Sequence, residues 1–309
     1  MQTPPALTVR AARKRFGDVQ ALNSASFDLR QGELLGLLGP NGAGKTSLIR
    51  AIAGRLRLDE GTIEIDGAPI TPGVTRPELG IVPQELAVYP LLSARENLEV
   101  FGRLYGVAPS ALRARVDWAL DHAALADRAS EPVKLFSGGM KRRLNIVCAV
   151  MHEPRIVLLD EPTVGVDPQS RERIYDMLTE LRQTGVSILL TTHHLEEAEA
   201  RCQRIVIIDH GRAIASGTLS ELVTQSLGSS RVAVIRTLKT IALPAALPAG
   251  AEVDEDGRTI RATVDAGASS LPELTRLAAV HGGGIEDISM HGARLQDVFI
   301  NLTGRELRE

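Results

Sequence analysis

The chain has 309 residues, enough for about two domains. It is 44% hydrophobic and 24% charged, the balance of an ordinary soluble globular protein. A net charge of -3 excludes a general pull toward nucleic acid or an anionic membrane surface. No apolar run approaches the roughly 20 residues a membrane helix needs. Residues 1–9 contain Pro4 and Pro5 and no signal-peptide core, so a cytoplasmic chain is expected. Cys148 and Cys202 stand alone, without metal-ligand spacing, and are expected as core or surface thiols rather than disulfide partners.

Residues 7–12, 25–29 and 62–66 alternate or carry β-branched residues between Gly and Asp punctuation. They read as strands of a small antiparallel sheet. Arg10, Arg13, Lys14 and Arg15 read as its solvated edge. Phe16 sits in Arg13-Lys14-Arg15-Phe16-Gly17-Asp18, a polar loop in a chain with five Phe, three Tyr and one Trp. Such scarcity leaves two readings. The ring either offers a base a flat surface, worth ~1–3 kcal/mol by analogy with nucleic-acid stacking, or plugs the core of the small sheet.

Residues 33–38 are short and apolar enough for a buried strand. Gly39-Pro40-Asn41-Gly42-Ala43-Gly44-Lys45-Thr46 follows and fits G-x-x-x-x-G-K-[ST]. Residues 47–53 then have helical spacing and stop at Gly54. Strand, glycine loop, helix is the context that confirms a P-loop. Glycines let the backbone turn its N–H groups inward as an anion nest, and the helix N-terminus adds positive potential. Lys45 is placed to reach the β- and γ-phosphates, and the Thr46 hydroxyl to ligate Mg²⁺. The expected nucleotide-holding set is therefore Gly39, Asn41, Gly42, Gly44, Lys45, Thr46 and Ser47.

Residues 79–82 form another short strand, ending at Pro83-Gln84-Glu85. Ser93 and Glu96 make an S-x-x-E capping box for a helix whose apolar face is Leu98, Phe101, Leu104 and Tyr105. Residues 109–125 add a second helix, so that about 86–150 is a helical insertion in an α/β chain. Within it, Leu135-Phe136-Ser137-Gly138-Gly139-Met140 opens a further helix. A serine and two glycines there can form a second anion site. Taken alone, a capped helix with a loose glycine start explains them as well.

Residues 156–159 form a buried strand that ends in Asp160-Glu161-Pro162-Thr163. Adjacent acids at the end of an apolar strand are costly unless they bind something or the strand simply reaches solvent there. In a P-loop protein Asp160 suits Mg²⁺ and its waters, and Glu161 suits a general base toward water. Asp167 caps a helix that begins at Pro168, buries Ile174, Leu178 and Leu181, and stops at Gly185. The strand at 187–191 runs into Thr192-His193-His194. Adjacent histidines are not a metal pair by spacing, and one of them is a candidate phosphate contact. A strand at 204–209 and a turn at Gly211 close this domain. Thr218 and Glu221 open a capped helix that ends near Gly228.

The texture changes from Ser229. A strand at 231–236 and an Ala/Pro-rich loop at 243–250 come first. Asp256-Gly257 then marks a hairpin between 252–254 and 259–264. A helix over 271–280, a strand over 285–289 and a helix over 294–302 complete a small α+β domain without a catalytic constellation. Leu295, Val298, Phe299 and Leu302 fall on one face of that last helix.

The P-loop, Gln84, Ser137-Gly138-Gly139, Asp160-Glu161, Asp167 and His193 occur in this order over residues 5–225. Together they resemble the nucleotide-binding cassette of an ABC transporter. The resemblance implies an α/β P-loop NTPase cassette over residues 1–228, with an antiparallel β subdomain and a helical subdomain. Residues 229–309 would be a separate regulatory or dimer-steadying domain. It implies that Phe16 stacks on adenine, that Gln84 senses the γ-phosphate and Mg²⁺, and that His193 contacts the γ-phosphate. Ser137 and Gly139, which with Gly138 make the family's signature, would bind the γ-phosphate of ATP held by a second copy, and Asp167 would lie in the loop crossing that dimer interface. Phe136, Met140 and Val166 depart from the family's usual leucine, glutamine and leucine. The backbone amides and Ser137 are untouched by those changes.

The run 136–144, with Leu295-Gln296-Asp297-Val298-Phe299 and 302–305, resembles the daunorubicin-resistance type of exporter ATPase. That resemblance implies an ATP- and Mg²⁺-dependent homodimer powering export of a drug, lipid or polysaccharide through a separate permease. Such a subunit sits at the inner face of the membrane through its permease, with no nucleic-acid partner. The rival is a soluble cassette ATPase acting on ribosomes or DNA, but those usually fuse two cassettes or insert long coiled coils, and neither is present. A module that only binds ATP would not need Glu161.

Overall fold

The computed structural model describes residues 4–228, 231–241, 251–254, 256–264 and 270–304. The Ala/Pro-rich stretch at 243–250 lies outside them. The chain divides into a unit over Met1–Gly217 and a unit over Thr218–Leu307.

Alternating apolar positions build the first sheet. β1 (Leu7–Phe16) pairs antiparallel with β2 (Val19–Leu29), and Leu7, Val9, Leu22 and Leu29 turn into the core. β3 (Leu34–Leu38) does not alternate, and all five of its residues are buried. That is the mark of a strand covered on both faces. It runs through the glycine loop into α1 (Lys45–Ile52). β4 (Glu60–Ile65) and β5 (Ala68–Pro69) complete a sheet in the order β2-β1-β4-β5.

β6 (Leu79–Val82) leads to the helical insertion: α2 (Ala94–Leu104), α3 (Pro109–His122) and α4 (Gly138–Ala149). β7 (Ile156–Asp160), α5 (Pro168–Gln183), β8 (Ser187–Thr192), α6 (Leu195–Arg201), β9 (Arg204–Asp209) and β10 (Arg212–Gly217) follow. The central sheet has the order β10-β9-β3-β8-β7-β6. Every neighbouring pair in it is parallel except β10 with β9. Strand periodicity sends Val157 and Leu159 to the core beneath the helical insertion, and Ile156 and Leu158 to the core beneath α1 and the small sheet. Each fully buried leucine or isoleucine contributes about 1.5–3 kcal/mol. The strands carry these side chains on both faces, so the sheet is a stiff platform for the loops at its carboxyl end. Gln84, Glu161 and His193 follow β6, β7 and β8 there, and the P-loop follows β3. Parallel α/β sheets bind ligands at that end.

The second unit begins with α7 (Leu219–Leu227) and continues as β11 (Arg231–Thr237), β12 (Ala251–Val253), β13 (Thr259–Val264), α8 (Ser270–His281), β14 (Ile285–Gly292) and α9 (Leu295–Thr303). Its four strands are antiparallel in the order β12-β13-β11-β14. Leu274 and Ala278 of α8 pack on Ile235 and Ile260 of the sheet. The capped helix at Thr218 belongs to this unit, ahead of the change of texture at Ser229. Asn301 Nδ2 of α9 donates to Ser226 O at 3.0 Å and to its Oγ at 2.8 Å.

Four expectations need correcting. Leu104 is 69% exposed and Tyr105 half-exposed, because the buried stripe of α2 is Ala94, Asn97, Leu98 and Gly102. Leu302 lies outside the buried face made by Leu295, Val298 and Phe299. Phe16 closes a strand rather than sitting in a loop, since β1 continues through the basic residues to the turn. α6 and β10 were not expected from the sequence. The basic edge is paired, Lys14 with Asp59 at 2.7 Å and Arg13 with Glu60 at 3.6 Å. Among the described residues no helix is long and apolar enough to cross a membrane.

Candidate active site

The P-loop turns on Gly44, whose φ of 104° suits glycine. A Cβ there would meet Ala21 O at 2.5 Å. The loop delivers Lys45 to the first position of α1, where it is 5% exposed. Its Nζ donates to Gly39 O at 2.8 Å and Pro40 O at 3.2 Å, and lies 3.1 Å from Glu161 Oε1. The lysine is thus held inside the curve of its own loop, where phosphate oxygens would replace the two carbonyls.

Glu161 is also buried, so the strand carrying the two acids does not end in solvent. It has a φ of 49°, an uncommon conformation for a residue with a side chain. Its N–H donates to Thr191 Oγ1 at 2.9 Å, and Thr191 Oγ1 donates to Asp160 Oδ1 at 2.7 Å. One buried hydroxyl on β8 therefore fixes both acids at the end of β7. The left-handed turn separates their directions, and Glu161 Oε2 lies 3.2 Å from His193 Nδ1. The P-loop lysine, both acids and one histidine of the expected set come together. His193 and His194 rings lie 4.2 Å apart, and His194 serves as the N-cap residue of α6.

Thr46, Asp160 and Gln84 offer hydroxyl, carboxylate and amide oxygen, a hard-donor set that fits Mg²⁺. Among the described residues no cluster of three or more His, Cys, Asp or Glu forms a metal cage. Thr46, Asn41, Gly42 and Gln84 are exposed, and Ser47 is partly buried. Phe16 is 48% exposed, so it does not plug the small sheet; Lys14 Nζ sits 5.7 Å from its ring centre.

The second anion-site candidate has its own neighbourhood. Ser137 caps α4, accepting from Met140 N–H at 3.2 Å. Asp167 caps α5, accepting from Ser170 N–H at 2.9 Å. That bond holds the Asp167 carboxyl below the usual range. A Cβ at Gly139 would collide with the Ser170 hydroxyl, so the signature glycine and the start of α5 fit face to face. Ser137 and Gly138 are exposed. Phe136 and Val166, two of the departures from the family pattern, are buried in the helical-side core. Arg128 bridges the first of them to Met140, its guanidinium 5.5 Å from the Phe136 ring and its Nη1 3.7 Å from Met140 Sδ.

One hub escaped the sequence. Glu197 on α6 is buried; its Oε2 accepts from Thr163 Oγ1 at 2.7 Å and Tyr175 OH at 2.6 Å, and its Oε1 lies 3.0 Å from Arg171 Nη1. It ties the helix after His193 to the loop after Glu161 and to α5. Burial and the adjacent Glu197 push the Tyr175 phenol far up, so it stays a donor. A helical reading of Leu195-Glu196-Glu197-Ala198 would have found the element; the burial of its second glutamate depends on distant partners.

A P-loop with a buried lysine, beside a buried carboxylate and a histidine at the carboxyl end of a parallel sheet, is the arrangement of a nucleotide-hydrolysing cassette. The family model described as ABC transporter matches residues 22–164. The chain is 37% identical to the linearmycin resistance ATP-binding protein LnrL of Bacillus subtilis, over 96% of this chain and 98% of that one. It is 38% identical to the Nod factor export ATP-binding protein I of Ralstonia nicotianae (99% and 96%) and to the daunorubicin resistance ATP-binding protein DrrA3 of Streptomyces coeruleorubidus (98% and 97%). Among solved structures, an ATP-binding subunit of an ABC transporter superposes with a TM-score of 0.65 at 32% identity, covering 71% of this chain and 92% of that one. A dimeric cassette bound to ADP and Pi gives 0.61 at 25%, covering 69% and 98%. The chain belongs to the ABC transporter ATP-binding family, and it is an ATPase.

Proposed function

We propose that this chain is the ATPase of an exporter for a hydrophobic or amphipathic cargo, of the drug, lipid or polysaccharide kind. The names of its relatives support this, since they concern drug resistance and Nod factor export. Two copies close head to tail on two ATPs. Each ATP lies between the P-loop of one copy and Ser137–Gly139 of the other, with Asp167 at the interface. The assembly docks on a separate permease at the inner face of the membrane.

The observation that carries the reading is the contact of Glu161 with both Lys45 and His193. Lys45 and the loop N–H groups bind the phosphates. Glu161 orients a water and takes its proton, while His193 and Gln84 touch the γ-phosphate. Phe16 stacks on adenine. Thr46, Asp160 and Gln84 would hold Mg²⁺, which would neutralise negative charge on the nucleotide's phosphates.

A mixing experiment tests the composite sites. Ser137→Ala and Lys45→Ala proteins, each expected to be inactive alone, give a heterodimer with one site free of both defects. Partial activity on mixing supports head-to-tail closure with sites that work independently, and no recovery indicates coupled sites. A fully active serine variant overturns the signature role. Co-purification of the permease, followed by assay of which compounds stimulate its ATPase, identifies the cargo.

A further inference from the structure

The loop that follows β6 is fastened by its backbone to one face of α4. Arg142, 6% exposed, donates from Nη1 to Pro83 O at 3.0 Å and from Nη2 to Gln84 O at 2.7 Å. Asn145, on the same face and also buried, accepts from Ala87 N–H through Oδ1 at 3.2 Å. The Gln84 residue is exposed while its carbonyl is pinned. The helix that pins it is the one that opens with Ser137 and Gly139.

The chemistry at Arg142 is expensive for mere packing. Burial pulls its pKa down, and among the described residues it has no carboxylate in ion-pair range. A methionine or leucine would fill such a place without desolvating a charge. What only a guanidinium supplies is a planar fork that takes two successive carbonyls at once. Its neighbour Arg143 does different work, donating to Ala123 O and Ala124 O beyond the end of α3.

We infer that Arg142 is a positioning residue that locks the Gln84 loop to the signature helix, so that the Gln84 amide and Ser137–Gly139 move as one body. The inference rests on the roles proposed above for Gln84 and the signature. A cassette without the lock binds ATP through its P-loop but brings Gln84 to the γ-phosphate out of step with its own Ser137–Gly139, which serves the ATP held by the other copy.

The test uses the full chain with MgATP, reading kcat from phosphate release and affinity from a fluorescent ATP analogue. Arg142→Ala is expected to keep affinity within about twofold and lose roughly tenfold to hundredfold in kcat, the scale of an ångström-sized misplacement. Arg142→Lys restores little, because one ammonium does not reproduce the fork. Combined with Gln84→Ala, it adds nothing to the loss from Gln84→Ala alone. Normal kcat in Arg142→Ala overturns the inference. So does full rescue by lysine, or a loss that adds to that of Gln84→Ala. If Arg142→Ala does not fold, Asn145→Leu cuts the tether at Ala87 without removing a charge, and unchanged kcat there also overturns it. A silent Gln84→Ala overturns the role of Gln84 together with this inference. A slow Gln84→Ala beside a normal Arg142→Ala overturns this inference alone.

Discussion

Lys45 Nζ and Glu161 Oε1 lie 3.1 Å apart, with both side chains at least nine-tenths buried. The proposed phosphate-binding lysine and the proposed general base thus hold each other in place. His193 faces the other oxygen of the same carboxylate. Phosphate binding must draw the lysine toward a new anion. Removing either partner leaves the other buried without its main counter-charge, a loss on the order of 3–5 kcal/mol for a buried pair.

Glu161→Gln is expected to lower hydrolysis by roughly 10²–10⁴, the worth of a general base. ATP affinity should hold or rise, because Lys45 no longer has to leave a carboxylate. The variant should dimerise in MgATP on size exclusion. Normal turnover would remove the base assignment.

Lys45→Ala is expected to abolish turnover, weaken ATP binding and lower the melting temperature. The stability loss should shrink when Glu161→Gln is added, since the carboxylate left behind is then neutral. A double variant whose melting temperature falls by the sum of the two single losses would show that the pair is not coupled.

Glu197→Ala leaves Thr163 and Tyr175 hydroxyls without their acceptor and Arg171 without its carboxylate. A melting transition lowered by the equivalent of about 3–5 kcal/mol is expected. In whatever folded fraction remains, kcat should fall more than ATP affinity, since the P-loop is untouched. Glu197→Gln, which keeps an acceptor, should sit between. A variant with parental melting and kcat would make the hub irrelevant.

Elements with local signals were legible in the sequence. Ser93 with Glu96, Asp167 with Pro168, and Thr218 with Glu221 announce helix starts that occur where their spacing puts them. The glycine loop and the Asp160-Glu161 strand end announced the chemistry. What escaped depends on contacts distant in sequence. Thr191 fixing both acids, Glu197 joining α6 to α5 and to the loop after Glu161, and Arg142 serving the Gln84 loop while Arg143 serves α3 all need the sheet to be assembled first. Phe16 was ambiguous for the same reason, since exposure is decided by what packs against a ring.

His122 and His152 are expected to make the first unit acid-sensitive. Burial lowers both below the usual imidazole value, His122 against the opposing pull of Glu180 at 2.9 Å. In the unfolded chain they titrate near 6.5, so below that pH the unfolded state binds more protons. Their contribution to stability is complete above pH 6.5 and is lost as pH falls toward their folded values. Each unit of lowering is worth at most about 1.4 kcal/mol, less where solvent screens the ring. Melting temperatures measured from pH 7.5 to 5.5 should fall, and His122→Gln with His152→Phe should flatten the slope. An unchanged slope would assign the acid sensitivity elsewhere.

The boundary between the units makes the last prediction. A cut after Gly228 keeps α7 but removes α9, which packs against it and binds Ser226 through Asn301. Leu222, 1% exposed in the whole chain, would then lose neighbours, and exposing a leucine costs about 1.5–3 kcal/mol. A cut after Gly217 ends on β10 and leaves no orphaned apolar helix. The Gly217 form should therefore be soluble, melt as one transition and bind ATP like the full chain, while the Gly228 form should aggregate more readily. If residues after Gly217 steady the dimer, the short form made with Glu161→Gln should dimerise in MgATP at higher protein concentration than its full-length counterpart. Sedimentation in MgATP measures that difference directly. Equal dimerisation would leave the second unit without a role in closure, and loss of ATP binding would place part of the nucleotide pocket beyond Gly217.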